Sequence, residues 1–297
     1  MAQRVCVTGA CGKAGRAVVR DLREHGYDVV PTDIAVTRRD LEDGTIRADL
    51  TDYGQTVEVL HTPDENWGPE PRRVDAVVHL ANIPAPGIAT PALTFTTNMT
   101  MNANVFLAAA RLGVRRVVWA SSETTLGLPF DVPPRYAPID EQHYPHPTTT
   151  YALSKVASET TAAQIAQWSG IPFVALRFSN IMSPEDYQRF PSAWDDATTR
   201  RWNLWGYIDE RDVALSCRLA LTAAEDAVAG SPSFIIAAAD TVMNRPSAEL
   251  LAEVFPDVPL TRDVGEFGTL LSIDHAREVL GFQPQHSWRD HVGGEPA

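Results

Sequence analysis

The chain has 297 residues, 44% of them hydrophobic, which allows one large domain with a buried core and argues against global disorder. A formal net charge of −13 argues against a nucleic-acid surface, which needs clustered Lys and Arg. Cys6, Cys11 and Cys217 make no disulfide framework or metal-ligand spacing, no apolar run of about 18 residues could span a membrane, and no leader pattern opens the chain, so a cytoplasmic protein is expected.

Short apolar runs alternate with helical stretches through the first half, the pattern of a parallel sheet covered on both faces. Residues 4–8 read as a first strand, and 13–25 as a helix with Ala14, Ala17, Val18 and Leu22 on one face. Strands follow at 28–32 and 45–48, then a helix near 54–60 and a Pro- and Gly-bearing loop at 61–73. The fourth strand is read over 74–80, a helix over 91–112 between Pro91 and Gly113, and the fifth strand over 114–120. A Pro-rich excursion at 127–147, read as a mobile lid, leads into a helix at 149–169 and a sixth strand at 172–178. Beyond residue 180 the alternation weakens to helices near 210–223, 246–254 and 272–280 and a strand at 233–238. The fold class is α/β: a Rossmann-like, doubly wound parallel sheet with a small C-terminal substrate-binding portion. Residues 1–180 form the core and 181–297 mainly the substrate portion, with 209–238 returning to the core.

The loop Thr8-Gly9-Ala10-Cys11-Gly12-Lys13-Ala14-Gly15 joins the first strand to the first helix. Glycines at this spacing permit a tight turn and a close approach of backbone to pyrophosphate, while the helix N-terminus offers free N–H groups and a positive dipole end. Cys11 and Lys13 sit within that phosphate loop. Asp33, at the end of strand two, is placed to accept hydrogen bonds from a ribose. A carboxylate there repels a 2′-phosphate, which favours NAD over NADP, although Arg38 and Arg39, read as a solvated loop, lie nearby.

Tyr151 and Lys155 stand four residues apart on a helix, hence on one face. A phenol with an ordinary pKa of about 10 is a poor base, and an adjacent ammonium favours its ionised form. Among the 25 Lys and Arg residues, Lys13 and Lys155 are the only lysines, so this chain writes Lys where a compact charge suits a ribose and a phenol. Ser122, at the end of strand five, supplies the hydroxyl to hold the substrate oxygen; Ser121 is the alternative.

Arg177, Arg200, Arg201 and Arg211 offer planar donor forks for an anionic substrate group, and Arg201 is taken as the substrate-binding one. Trp194, Trp202 and Trp205 either stack on a sugar or fill a small core. His79 reads as a packed neutral imidazole. His143 and His146 have no ligand-spaced partner, and no metal is expected.

Taken in order, these residues resemble the extended short-chain dehydrogenase/reductase family of NAD-dependent epimerase/dehydratases. The resemblance rests on Thr8-Gly9-x-x-Gly12-x-x-Gly15, Asp33, Ala48-Asp49-Leu50-Thr51-Asp52, His79-Leu80-Ala81, Asn98, Ser121-Ser122, Tyr151-x-x-x-Lys155, Leu176-Arg177-x-x-Asn180, and the Tyr207–Ala214 and Ala276–Pro284 stretches. It implies that Asp49 and Leu50 flank an adenine and that Leu80 and Ala81 line the path to the nicotinamide. Asn98 would order the site through its helix, while Glu123 and Asn180 would face the substrate. It also implies a homodimer through the helices at 91–112 and 149–169. Dehydratases of the family carry an acid pair where this chain has Glu123-Thr124, which disfavours dehydration. Only 28 residues lie between Asn180 and Asp209, and Thr125-Leu126-Gly127 replaces the usual Val-Tyr-Gly. Both traits look more like uronate-type sugar dehydrogenases than nucleotide-sugar epimerases. The expected activity is NAD-dependent oxidation of a small sugar, polyol or sugar acid, with epimerisation as the alternative and a non-catalytic dinucleotide sensor as the remote third.

Overall fold

The computed structural model describes residues 2–61, 73–130, 132–143 and 145–291. In chain order the first half comprises β1 (Arg4–Thr8), α1 (Lys13–Glu24), β2 (Asp28–Asp33), α2 (Arg38–Glu42), β3 (Ile46–Arg47), α3 (Tyr53–His61), β4 (Ala76–His79), α4 (Pro91–Leu112) and β5 (Arg116–Ser122). Then come α5 (Thr150–Ser169), β6 (Phe173–Phe178), β7 (Ile181–Met182), β8 (Ile208–Asp209), α6 (Glu210–Thr222), β9 (Ser233–Ile236), α7 (Ser247–Val254) and α8 (Asp274–Leu280).

Seven strands form one parallel sheet in the order β3-β2-β1-β4-β5-β6-β9. β1, β4 and β6 are buried along their whole length, because helices cover both faces of the sheet. On one face Val18 and Leu22 of α1 join Val213 and Cys217 of α6 over Val5, Val7, Val78 and Val118. On the other, Val105 and Phe106 of α4 and Ala162 and Ile165 of α5 cover Cys6, Val77, Val117 and Trp119. Pro91 opens α4, and Gly113 closes it in the left-handed conformation at φ 64°.

A third cluster is the C-terminal core around Tyr187, Trp205, Val242, Leu250, Leu271 and Trp288. The Pro-rich excursion belongs to it, which corrects the reading as a mobile lid. Leu128, Ala137 and Ile139 are fully buried there, and Ala137 and Ile139 donate backbone N–H groups to Pro259 and Leu270. Leu126, Leu128, Phe130, Ala137 and Ile139 are core residues of the second portion, while Val132 is exposed.

Two boundaries also differ. Arg38 and Arg39 start α2, capped by a reciprocal Thr37–Asp40 pair, rather than lying in a loop. β3 spans two residues, not 45–48, because Thr45 N–H turns back to the Asp40 carbonyl. The expected loop at 61–73 lies mostly outside the described residues. Among the described residues no helix is long and apolar enough to cross a membrane.

Candidate active site

At the carboxyl edge of the sheet a cleft of about 1040 Å³ runs from the glycine loop to Tyr151. Parallel strands place ligand sites at this edge. The three glycines of the loop have different jobs. A Cβ on Gly9 would stand 2.7 Å from the Ala81 nitrogen, and one on Gly15 would stand 2.0 Å from the Gly9 carbonyl oxygen. Those two are required by the loop's own packing. A Cβ on Gly12 would meet only the Gly9 oxygen, at 3.4 Å, so Gly12 leaves open space on the cleft. It also caps α1 without a side-chain acceptor, and the first turn holds no acid. Free N–H groups, the positive helix end and room for close approach fit a dinucleotide pyrophosphate.

Asp33 lines the same end, its two oxygens accepting N–H bonds from Cys11 and Ala35, each at 2.9 Å. Arg38 and Arg39 point along α2, pairing with Glu42 and Asp43. What Cys11 contributes is its N–H. Burial together with the nearby Asp33 and Asp40 pushes its thiol up to about 11. Lys13 lines the cleft mouth and bonds the Ile181 carbonyl and the Asp186 carboxylate, joining the glycine loop to the segment after β7. Asp49, Leu50, Leu80 and Ala81 line the cleft as well. Asn98 stands behind the wall, fully buried, with its amide bonding both the N–H and the carbonyl of Ile83. It shapes the lining loop without facing the cleft.

Ser122, Tyr151 and Lys155 meet at the centre. Thr149 caps α5 through a bond from the Ala152 N–H, which sets Tyr151 and Lys155 one turn apart over the end of β5. The two serines separate clearly. The Ser121 hydroxyl donates to Glu159 at 2.6 Å, and Glu159 is held by Arg177 in a two-point pair. The Ser122 hydroxyl instead accepts from Thr124 and lies where it acts on the Tyr151 phenol. Lys155 donates to Asn82 Oδ1 at 3.0 Å and to the Ala120 carbonyl at 2.7 Å. Its nitrogen lies 5.6 Å from the centre of the Tyr151 ring. Burial dominates both groups, pushing Lys155 down to about 7 and Tyr151 up to about 12, while the nearby Ser122 hydroxyl pulls the phenol the other way. In this state the lysine does not overcome the burial of the tyrosine.

The far end is lined by Glu123, Ser179, Asn180 and Trp202. Burial pushes the Glu123 carboxyl up to about 7, against Ser179, Asn203, the Arg200 charge and the Asn180 N–H. Neither Arg201, which is exposed, nor Arg200 lines the cleft; Arg200 packs behind it, its charge acting on Glu123 and its guanidinium 5.3 Å from the Trp202 ring. A 3₁₀ turn over Ala197–Asn203 separates the two, since one residue is a third of a turn. Asn203, Asn82 and Glu159 were missed altogether. Only the i+4 spacing of Glu159 from Lys155 was a usable signal.

The remaining candidates have structural settings. Trp205 is fully buried and Trp194 bonds the Val242 carbonyl, so of the three tryptophans Trp202 faces the cleft. His79 is buried between Thr8 and Asn102, and desolvation holds it neutral by pushing it down to about 4. The His143 ring accepts the Arg135 N–H, and His146 donates its N–H to the Thr125 carbonyl. Among the described residues no group of His, Cys, Asp and Glu could hold a metal ion.

Known proteins carry the same organisation. The chain is 27% identical to a UDP-glucose 4-epimerase of Lacticaseibacillus casei, over 97% of this chain and 94% of that protein. It is 28% identical to an NAD-dependent glucose-6-phosphate dehydrogenase of Haloferax volcanii, over 65% of this chain and 76% of that protein. Its fold matches the UDP-glucose 4-epimerase of Thermotoga maritima with a TM-score of 0.72 at 20% identity, covering 97% and 96% of the two chains. The family model described as NAD dependent epimerase/dehydratase matches residues 5–230, from β1 to the turn before β9, and so takes in the glycine loop, Asp33, Ser122, Tyr151 and Lys155. With the cleft, the loop and the match all in the same stretch, the chain belongs to the NAD-dependent epimerase/dehydratase family.

Proposed function

We propose that the chain is an NAD-dependent dehydrogenase that oxidises a hydroxyl-bearing carbon of a small sugar, polyol or sugar acid carrying no nucleotide. The observation that carries this reading is how the stretch between Asn180 and Asp209 is used. Tyr187, Phe190, Ala193, Ala197, Leu204 and Trp205 are all buried in the C-terminal core, which leaves Ile181 and Trp202 as the residues of this stretch that line the cleft. A nucleotide would need side chains that this stretch commits to packing.

In this reading the substrate hydroxyl lies between Ser122 and Tyr151. Ser122 Oγ holds its oxygen and Tyr151 takes its proton, leaving a ketone or lactone as the carbon gives up a hydride. NAD, when bound on the Gly9–Gly15 loop with a ribose at Asp33, supplies the hydride acceptor and a positive ring whose field favours the Tyr151 phenolate. Lys155, tied to Asn82 and the Ala120 carbonyl, keeps the start of α5 against the end of β5. Dehydration lacks its second acid, because Thr124 spends its hydroxyl on Ser122.

Epimerisation is the second reading, and the near full-length similarity to UDP-glucose 4-epimerases favours it. Cofactor reduction against a panel of free sugars, polyols and sugar acids separates the two. Steady reduction by one class supports the dehydrogenase. No reduction, with inversion of a sugar or UDP-sugar seen by proton NMR, replaces it with the epimerase. The exposed Leu93 and Leu107 on α4 and Leu153 on α5 support a homodimer through these helices, which light scattering of the purified protein tests.

A further inference from the structure

Behind the cleft runs a line of polar side chains that ends on Lys155. The Lys155 nitrogen donates to Asn82 Oδ1 at 3.0 Å and to the Ala120 carbonyl at 2.7 Å. Asn82 Nδ2 donates in turn to the Ala81 carbonyl and, at 2.8 Å, to Asn102 Oδ1. His79 Nε2 meets the same Asn102 oxygen at 2.9 Å, and Asn102 Nδ2 donates to Ser158 at 2.7 Å. His79 Nδ1 stands 2.7 Å from Thr8 Oγ1, which also accepts the Ala81 N–H at 3.3 Å. Thr8, His79, Asn102, Ser158 and Lys155 are each 1% exposed or less, whereas Asn82 lines the cleft.

Only one direction of donors and acceptors fits this line. An ammonium has three donors and no acceptor, and the Ala81 carbonyl can only accept. The Asn82 amide therefore turns its oxygen to Lys155 and its NH₂ away. That NH₂ needs the Asn102 oxygen, which sends the Asn102 NH₂ to Ser158. His79 must then carry its proton on Nε2 and accept at Nδ1, where the Thr8 hydroxyl donates. His79 is neutral, as this requires, since burial pushes it down to about 4 with the Lys155 charge acting in the same direction. Each side chain fixes the next, so buried groups set the aim of the Asn82 oxygen.

An amide oxygen suits this place better than a carboxylate. Burial pushes Lys155 down to about 7, so its charged form needs acceptors to persist at neutral pH. A carboxylate would hold the ammonium but cancel its field at the Tyr151 ring, 5.6 Å away. A neutral amide holds the charge and leaves the field. Glu159, which acts on Lys155 from one turn along α5, is already paired with Arg177.

We propose that Asn82 is a positioning residue of the reaction: its amide oxygen, aimed by Asn102 and His79, holds Lys155 in its charged form and leaves the third N–H of the ammonium for the cleft. The proposal rests on the reading in which Tyr151 takes the substrate proton. The groups that face Lys155 are Tyr151 and Glu159 from α5, His79 from β4, Asn82 after it and the Ala120 carbonyl of β5.

Lys13 and Lys155 are the only lysines in the chain, so protein grown on lysine carrying carbon-13 at Cε gives two NMR signals, which Lys13→Gln tells apart. The Lys155 signal reports its protonation in the full chain without substrate or turnover. Asn82→Leu keeps the branching and removes the acceptor, and should lower the Lys155 midpoint by about one pH unit, the size of one lost hydrogen bond to a charge. Asn82→Asp should raise it, with the Lys13 midpoint unmoved in both. A merely structural Asn82 would lower Tm and leave Lys155 titrating where it did. An unmoved midpoint in Asn82→Leu, or shifts in the same direction in both variants, overturns the proposal. Should Asn82→Leu fail to fold, Asn82→Asp decides alone, and a midpoint that does not rise overturns it. Both variants should also move the acid limb of kcat to higher pH, because one loses the ammonium and the other cancels its field at Tyr151. A limb that stays put while the NMR midpoints move as expected would take the proton step away from Tyr151 and leave the hold of Asn82 on Lys155 supported.

Discussion

Around Gly9–Gly15 the cleft faces main-chain N–H groups and open space, whereas around Glu123 it is walled by a buried carboxyl and the side chains packed behind it. The cofactor end is finished by backbone geometry. Gly9 and Gly15 are fixed because an added Cβ would come within 2.7 and 2.0 Å of backbone atoms, and the acid there is held by two N–H bonds. The substrate end is built from side chains, with a buried carboxyl lifted to about 7 and a left-handed turn below it. A cofactor common to a family can be met by rigid backbone. A particular substrate is met by side chains, whose stability cost is offset only when that substrate binds.

The sharpest way to break this division is at the boundary between the two ends. Tyr151→Phe removes the proton acceptor while leaving the glycine loop untouched. Turnover should fall by about 10²–10⁴ with NAD affinity unchanged, as read by steady-state kinetics beside cofactor titration. Full retention of turnover would take Tyr151 out of its role.

Within the cofactor end the glycines should divide by the space around them. Gly15→Ala drives a methyl into the Gly9 carbonyl and should cost about 1–3 kcal/mol of stability, seen as a lower Tm. Gly12→Ala meets only one atom at 3.4 Å, so Tm should hold while NAD affinity drops. Equal effects on folding would mean that Gly12 is structural too. Asp33→Asn should narrow the preference for NAD over NADP by about tenfold, or about 1.4 kcal/mol, measured as a ratio of cofactor affinities.

The same division governs what the sequence made legible. The glycine loop, Asp33 and the Tyr151–Lys155 pair could be read because strands and helices have fixed periods, and each motif lies where one element meets the next. Ser122 could not be told from Ser121, since the difference lies in Glu159 and Arg177 from two other elements. Arg200 and Arg201 are alike in the sequence, because a 3₁₀ turn presents no face that an apolar pattern marks, and neither lines the cleft. The excursion at 127–147 looked like a lid because its prolines outweighed Leu128, Ala137 and Ile139, whose partners lie more than a hundred residues on. Long-range partners, not local chemistry, were what the sequence hid.

The smallest predicted effect bears directly on the substrate end. A carboxyl raised from 4.5 to about 7 by folding gives stability that is fully present below about pH 4.5 and lost as pH rises through 7. At pH 8 the native protein therefore carries a penalty whose ceiling, for a shift of this size, is on the order of 3 kcal/mol. Glu123→Gln lifts the penalty but places an amide donor where an acceptor stood, which gives back part of the gain. The net expectation is a variant more stable than wild type by about 1 kcal/mol at pH 8 and no more stable at pH 5, read from denaturant midpoints at both. A wild type as stable at pH 8 as at pH 5, with no gain in the variant, would mean that Glu123 is not desolvated. The contrast between the two ends would then fail at the residue on which it most depends.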